Sequence, residues 1–332
     1  MPSPPPSRYI AVITVNYCTA TLAAEGIDSV IRQNPVGMPV EIHVVDNASP
    51  NDDAATLQRL HHERAWGDHV TLHLETENHG FGRGNNLVLE KLAARDTPPW
   101  AVFLLNPDAH LDKNAIKRLV QFLENHPKAA CVGAQIRKPD GTAVSAAFRF
   151  PGLLSEFARG ASFGPISRLT EPWAVALSPD LDTTQVDWVA GAAALIRFDA
   201  LKEIGFFDPC FFLYYEEVDL MRRAQAAGWQ VWYVPEAAAV HAEGAATGVR
   251  SNISERPRRP AYWYQSWRMC FERSHGRAGA LGIAVAALTG AGLNCIFSLL
   301  PNRRPAFADR YFSDHWGQVM RPLLGLSERR YD

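Results

Sequence analysis

YIAVITVNY (residues 9–17) decides the fold class, because it is a nearly unbroken apolar run that stops on polar Asn16 and is followed by TLAAEGIDSVIRQ (21–33) with helical period. The same couple recurs: VEIHVVDNAS (40–49) before DAATLQRLHHERA (53–65), VTLHLET (70–76) before NLVLEKLAARD (86–96), then WAVFLLNPDA (100–109). Continuous β-branched runs alternating with amphipathic helices predict a parallel sheet covered on both faces. Such sheets hold ligands outside the carboxyl ends of their strands. The polar residues fall there: Asn16, Asp46 with Asn47, Asn78, and Asn106 with Asp108.

HGFGRGNN (79–86) lies where the third strand turns into a helix, the place where dinucleotide enzymes carry G-x-G-x-x-G. Here Asn85 stands where the third glycine of that fingerprint belongs, and no acidic residue closes a strand about 20 residues on. The fingerprint fails, which argues against a nicotinamide-dependent oxidoreductase.

A chain of 332 residues with 47% apolar and 20% charged content can bury a large core. A net charge of −2 gives no basic excess for nucleic acid. The five cysteines (Cys18, Cys131, Cys210, Cys270, Cys295) are scattered and never in C-x-x-C spacing, as expected in a reducing cytosol. MPSPPPSRY (1–9) has no basic segment leading into an apolar core, so no secretory signal is expected, only a disordered leader over 1–7. Ala278 to Asn302 carries no charge over about 25 positions, enough to cross a bilayer. Glycines, alanines, Thr289 and Asn294 dilute its apolarity, so a helix lying on the membrane and a packed helix compete with a span. Arg273, Arg277, Arg303 and Arg304 flank it, suited to anionic headgroups.

Beyond Asn125 the pattern loosens through AACVGAQI (129–136) and FRFPGLL (148–154) to about Gln185. VDWVAGAAALIRFDALKEIGFFD (186–208) then reads as strand and helix, FFLYYEEVDLMRRAQAAGW (211–229) as a helix, and VWYVPEAAAVHAEG (231–244) as a strand. TGVRSNISERPRRPA (247–261) reads as a mobile connection into a helical tail.

VNY, VVDNAS, ENHGFGRGNN, LLNPDA, VAGAAALIR, GFFDPCFFLYYEEVDLMRR and VPEAAAVHAEG follow one another in the order and approximate spacing of family 2 glycosyltransferases of the GT-A fold. Over about residues 8 to 245 the chain resembles most the rhamnosyltransferase-like branch, which builds bacterial surface polysaccharides such as O-antigen. The resemblance implies an α/β GT-A domain and an inverting transferase that uses a nucleotide-diphosphate sugar with Mg²⁺ or Mn²⁺. It implies a nucleotide-sugar-binding half at 8–108 and an acceptor-binding half at 109–248, while the uncharged segment and its flanking arginines make 249–332 read as a helical, membrane-associated tail. The implied donor is dTDP-rhamnose and the implied acceptor a lipid-linked saccharide, met at the cytoplasmic face of the inner membrane. A galactofuranosyl or hexosyl donor is the nearest competitor, and a catalytically silent nucleotide-sugar-binding protein is the rival from another class.

At the strand ends, Asn16, Asp46 and Asn47 can meet a pyrimidine or ribose, with an N-cap by Asp46 or Ser49 as the competing reading. The resemblance lays Asn78, Gly80, Phe81, Gly84 and Asn86 along the donor, the glycines permitting close backbone approach; a tight turn plugged by Phe81 is the alternative. Asn106-Pro107-Asp108 stands where many relatives carry Asp-x-Asp, so Asp108 is left as the anionic ligand of a hard cation. His241 matches the family's late histidine, an acceptable Mn²⁺ ligand that could equally be structural. Trp188, Gly191 and Ala192 resemble the acceptor segment, although a tryptophan is also an ordinary core residue. On a helix Glu216 and Asp219 share a face, with Glu217 about 100° round from Glu216. Family position selects Glu217 as the general base, in place of the more usual aspartate, with Glu216 on the acceptor side.

Overall fold

The computed structural model describes residues 8–33, 37–241, 256–300 and 304–328. The leader at 1–7, the 247–255 part of the connection, Asn302 and Arg303 lie outside the described residues. In chain order the elements are β1 (Ile10–Asn16), α1 (Ala20–Ile31), β2 (Val40–Asp46), α2 (Asp53–Glu63), β3 (Val70–Leu74), α3 (Gly80–Ala93), β4 (Ala101–Leu105), β5 (Ala109–Leu111), α4 (Ala115–Asn125) and β6 (Ala129–Arg137). They continue with β7 (Ala143–Val144), β8 (Ala147–Phe148), α5 (Leu153–Ala161), α6 (Gly164–Leu169), β9 (Thr184–Val186), β10 (Trp188–Val189), β11 (Ala193–Arg197) and α7 (Phe198–Ile204). Last come α8 (Glu216–Ala226), β12 (Gln230–His241), α9 (Ala261–Phe297), α10 (Tyr311–His315) and α11 (Arg321–Leu323).

The described parts of 8–148, 177–209 and 216–241 form one compact unit around a ten-stranded sheet ordered β3-β2-β1-β4-β11-β6-β12-β5, with β7 and β9 paired at its side. Every residue of β1 and β4 is buried, as strands covered on both faces require. Each large side chain there contributes roughly 1.5–3 kcal/mol by leaving water. Strands β1 to β4 are mutually parallel, with Asn16 in register with Asp46. β1 lies between β2 and β4, so the strand order reverses at β1 and opens a crevice at its carboxyl end. β11 enters antiparallel between β4 and β6, which makes the sheet mixed rather than wholly parallel. α4 shows how the covering helices form: Ala115, Ile116, Leu119, Val120 and Leu123 are its buried stripe.

Register in β12 shifts between Val234 and Ala238. Pro235 falls in that bulge, where its missing N–H removes nothing from the ladder. Past the bulge β12 pairs with β5, and His241 comes opposite Ala109, the neighbour of Asp108. The halves expected at 8–108 and 109–248 both contribute strands to this one sheet.

The second compact unit gathers 149–176, 210–215 and the described residues from 256 on. α9 is broken at Gly276 (φ 67°, ψ 172°), so the uncharged segment is the arm after the break. Its buried residues Ala280, Ile283, Ala284, Ala287, Gly290, Ala291 and Asn294 make one helical stripe. The stripe crosses α5 closely enough that a Cβ on Gly290 would stand 2.1 Å from the Phe157 carbonyl oxygen, and one on Gly160 2.4 Å from that of Ala287. Asn294 donates to the Ala161 carbonyl at 2.9 Å and accepts from the Ala306 N–H at 2.7 Å, so the polar residue that dilutes the apolar run is a packing bond. Arg277 donates to the carbonyls of Leu323 (2.6 Å) and Pro322 (3.3 Å), and Arg273 lies over Phe211 at 5.3 Å, so the two cations on the N-terminal flank are engaged with protein. The Ser266 hydroxyl donates to the Leu213 carbonyl, which ties 210–215 to α9.

Candidate active site

The carboxyl ends of β1 and β2 carry a closed polar network. The Asn16 amide donates to Asp46 Oδ1 (2.8 Å) and Asp53 Oδ2 (3.0 Å), and the same Asp53 oxygen accepts from the Ala20 N–H (2.9 Å) at the start of α1. The Ser49 hydroxyl donates to Asp46 Oδ1 at 2.7 Å and accepts from the Cys18 N–H at 2.9 Å. Asp46 and Ser49 therefore cap no helix: α2 begins at Asp53. Asp53 itself was missed by sequence reasoning, although an acid opening the helix after VVDNAS was a visible signal.

Asn47 links this floor to α3. Its Oδ1 accepts from the His79 N–H (2.9 Å), and its amide donates to Asn78 Oδ1 (3.0 Å) and the Gly80 carbonyl (3.1 Å). Asn78 Oδ1 also accepts from the Gly80 N–H at 2.9 Å, and Gly80 holds φ 74°, which a residue with a Cβ adopts only under strain. HGFGRGNN is thus helical from Gly80 onward rather than a loop. A Cβ on Gly82 would stand 3.1 Å from Phe207 Cβ, and one on Gly84 3.0 Å from Val15 Cγ1, so these two glycines let α3 press against protein. Asn86 exchanges two hydrogen bonds with the Phe207 backbone (2.7 and 3.1 Å), and Phe81 meets the Phe207 ring edge-on at 5.9 Å. Phe207 organises this corner and went unnoticed in the sequence, because nothing local marks a contact across 121 positions.

Asn106, Asp108 and His241 converge at the ends of β4, β5 and β12. His241 Nε2 lies 2.8 Å from Asp108 Oδ1 and 3.3 Å from the Asn106 amide nitrogen. One ring nitrogen cannot both donate to the carboxylate and accept from the amide, whereas a flip of the amide turns its carbonyl oxygen toward the same place. A carboxylate oxygen, an imidazole nitrogen and an amide oxygen form a donor set that fits a divalent cation. Among the described residues no group of three His, Cys, Asp or Glu is placed to hold a metal ion, so such a cation would complete its shell with phosphate and water oxygens.

On the other side, the Trp188 ring stacks on Phe148 at 4.0 Å and 15°, which occupies one of its faces. Gly191 leaves room beside Phe81, 3.6 Å from where a Cβ would be. Ala192 is buried, and its carbonyl accepts from the Asn106 N–H at 2.9 Å, coupling this segment to the Asn106–Asp108 turn.

Tyr214 and Tyr215 both have φ 69°, so the aromatic run is not helical and α8 starts at Glu216. Glu216 is 3% exposed, and its Cβ lies 3.6 Å from the Cβ position of Gly82, which sets the first turns of α8 and α3 side by side. One carboxylate oxygen each of Glu216 and Glu217 is buried without a hydrogen-bond partner among the described residues. Burial, then the Glu217 charge, pushes the Glu216 carboxyl well above its ordinary range, and burial pushes Glu217 up as well. Asp219 instead pairs with Arg223 at 2.8 Å, and Arg223 donates to the carbonyls of Ile204, which ends α7, and Phe206 just past it. Two acids of the motif are thus desolvated with their carboxyls shifted up, and the third braces the fold.

A family model described as "Glycosyltransferase like family 2" matches residues 5–270. The chain is 31% identical over 223 residues to an N-acetylglucosaminyl-diphospho-decaprenol L-rhamnosyltransferase of Mycobacterium tuberculosis, covering 63% of this chain and 69% of that protein. It is 26% identical over 193 residues to a rhamnosyltransferase of Escherichia coli, covering 58% and 70%. A mannosyltransferase from Pyrobaculum calidifontis, solved with GDP-Man and Mn²⁺, shares the fold with a TM-score of 0.55 at 18% identity, over 92% of this chain and 79% of that one. With its GT-A arrangement of mixed sheet and helices, the chain belongs to glycosyltransferase-like family 2 and is a glycosyltransferase.

Proposed function

We propose that this enzyme transfers a rhamnosyl unit, with inversion, from dTDP-rhamnose to a lipid-linked saccharide. The observation that carries the reading is the Glu216–Glu217 pair, each with one buried carboxylate oxygen and Glu216 set against the start of α3, in the same unit as the polar floor of β1 and β2. Inversion by direct displacement needs a base on the acceptor side. Glu217 takes the acceptor hydroxyl proton as the new bond forms, and burial strengthens it as a base. Asn16, Asp46 and Asn47 hold the nucleotide end; Gly80, Phe81 and the Asn78 turn lie along the sugar diphosphate, with Asn86 fixing Phe207 behind them. Trp188, stacked on Phe148, stands on the acceptor side with Gly191 and Ala192, whose small side chains leave room for a sugar.

Asp108 and His241, with Asn106, would hold Mg²⁺ or Mn²⁺, and the Mn²⁺ in the mannosyltransferase structure supports a divalent ion. When bound, the cation neutralises charge on the departing diphosphate. The rhamnosyl donor and the diphospholipid acceptor are supported by the name of the mycobacterial relative. A screen of dTDP-, UDP- and GDP-sugars by mass spectrometry, with a short-chain prenyl-diphospho-N-acetylglucosamine as acceptor, tests the reading. Rhamnosyl transfer is expected; transfer of galactofuranose or another hexose replaces the donor, and no turnover with any donor sinks the transferase chemistry proposed for these residues.

The same proposal puts the enzyme against the cytoplasmic face of a membrane, peripherally. α9 is long and apolar enough to cross a bilayer by length and composition, with mean hydropathy 1.9 in its most apolar window. Its buried stripe and the break at Gly276 favour resting on the surface instead. Exposed Leu299 (84%), Ile296 (60%), Leu169 (79%) and Trp173 (52%) supply the apolar contact. Sedimentation with anionic liposomes should follow Leu299→Asp and Leu169→Asp; binding that neither change weakens removes this face from consideration.

A further inference from the structure

Two arginines of the second unit converge on one aromatic ring. The guanidinium carbon of Arg259 lies 4.0 Å from the centroid of Trp263, and that of Arg159, on α5, lies 5.2 Å from it. Arg159 is anchored by Glu156, which is 2% exposed and also accepts from the Trp267 indole N–H at 2.8 Å. Tyr215 meets Trp263 edge-on at 6.3 Å. Neither arginine is sealed in: the Arg159 side chain is 38% exposed and Arg259 is half-buried.

A fold has little reason to bring two like charges to one ring for stability alone, because each raises the cost of the other in a partly desolvated place. Burial, and then the Arg159 charge, in fact pulls Arg259 below the ordinary guanidinium range. Forked planar donors gathered at one ring match the oxygens of a phosphate or diphosphate, which accept paired N–H bonds. Burial pushes the Tyr215 phenol up, so it remains a donor at neutral pH. Leu153 (51%) and Leu154 (37%) are exposed on the same helix as Arg159, an apolar surface that suits a prenyl chain. In sequence, Tyr215 directly precedes the acid pair Glu216 and Glu217.

We propose that Arg159 and Arg259, with Trp263 and Tyr215, form a binding site for the diphosphate of the prenyl-linked acceptor, separate from the Asp108–His241 site that serves the donor diphosphate. The inference rests on the acceptor being a lipid-linked saccharide diphosphate.

The test uses full-length protein in excess EDTA, so that no cation can recruit a diphosphate to the donor site. Farnesyl diphosphate is titrated by calorimetry, with farnesol and phosphatidylglycerol vesicles as comparison probes. Arg259→Gln should weaken farnesyl diphosphate binding by about tenfold or more, since charge-assisted forked bonds are lost, and Arg259→Lys should recover part of it. Arg159→Lys, which keeps a cation for Glu156, should also weaken it while leaving farnesol unaffected. Retained dTDP binding with Mn²⁺ checks that each variant is folded. Equal farnesyl diphosphate affinity in wild type and Arg259→Gln overturns the proposal. So does loss of vesicle binding alone, which would make the cluster a bilayer headgroup site. Slow donor hydrolysis without acceptor reads the transferase chemistry independently: if wild type lacks it while the arginines still bind diphosphate, the proposed function fails and this site stands.

Discussion

Replacing Glu217 by glutamine keeps the size of the side chain and removes its ability to take a proton. Glu217 sits in the first turn of α8 with one carboxylate oxygen buried and without a partner among the described residues, so the glutamine places one amide atom in an already unpartnered position and disturbs little else. Loss of general-base catalysis is worth about 10²- to 10⁴-fold. At about 1.4 kcal/mol per decade this is roughly 3–5 kcal/mol in the barrier. The pH dependence carries a second signature. Burial lifts Glu217 above its ordinary value of 4.5, and a base must be deprotonated to act, so wild-type turnover should fall as pH drops through that raised value. The variant should lose this acid limb along with its rate. Single-turnover transfer followed by mass spectrometry between pH 5 and 9 separates chemistry from product release. Calorimetry with the nucleotide diphosphate should give near wild-type donor binding. A single-turnover rate close to wild type, with the acid limb intact, would refute the assignment; Glu216→Gln and Asp219→Asn then identify which neighbour carries the proton.

Asp108→Asn should abolish the cation dependence of nucleotide diphosphate binding, and binding that responds equally to EDTA in both proteins would exclude Asp108 as a ligand. Glu216→Gln should raise the melting temperature at neutral pH. A buried acid whose folded value is raised contributes stability present below its unfolded value of about 4.5 and lost as pH rises through the raised value, so the gain should vanish below pH ~4. His315 is 1% exposed with neither ring nitrogen hydrogen-bonded, so His315→Phe should leave stability unchanged or increase it by about 1–3 kcal/mol; a clear loss in thermal unfolding would mean the imidazole has a partner. Gly290→Val should force α9 off α5 and lower stability by about 1–3 kcal/mol or more, while Gly292→Val, where a Cβ meets nothing within 4 Å, serves as its control in the same melt.

The sheet was legible because its strands announce themselves locally. Ile10–Asn16 and Ala101–Leu105 are apolar on both faces, and the residue after the apolar run marks the functional end of each strand. The convergence of Asp108 and His241 followed from the family resemblance, but the device that achieves it, the bulge around Pro235, is a matter of pairing and leaves no local trace. The glycines of HGFGRGNN left their neighbours unnamed for a physical reason. A missing Cβ signals close approach without saying to what, and at Gly82 and Gly84 the approaching surfaces are Phe207 and Val15. Likewise Tyr214 and Tyr215 were read into a helix, because their positive φ follows from where the chain must turn.

The second unit is assembled from three lengths of chain far apart in sequence, and its central crossing joins Gly160 to Gly290. During synthesis α5 is made long before its partner, so its inner face has no cover until α9 has emerged. Loop closure over that separation comes late in folding, and the unit gains its stability in one step rather than piece by piece. Cutting the chain before α9 to obtain a more soluble enzyme would therefore have the opposite effect: Gly160, Phe157 and the buried Glu156 would lose their covering together. A tractable soluble form is instead one whose tail is kept whole and whose outward leucines, Leu169 and Leu299, are exchanged for charged residues.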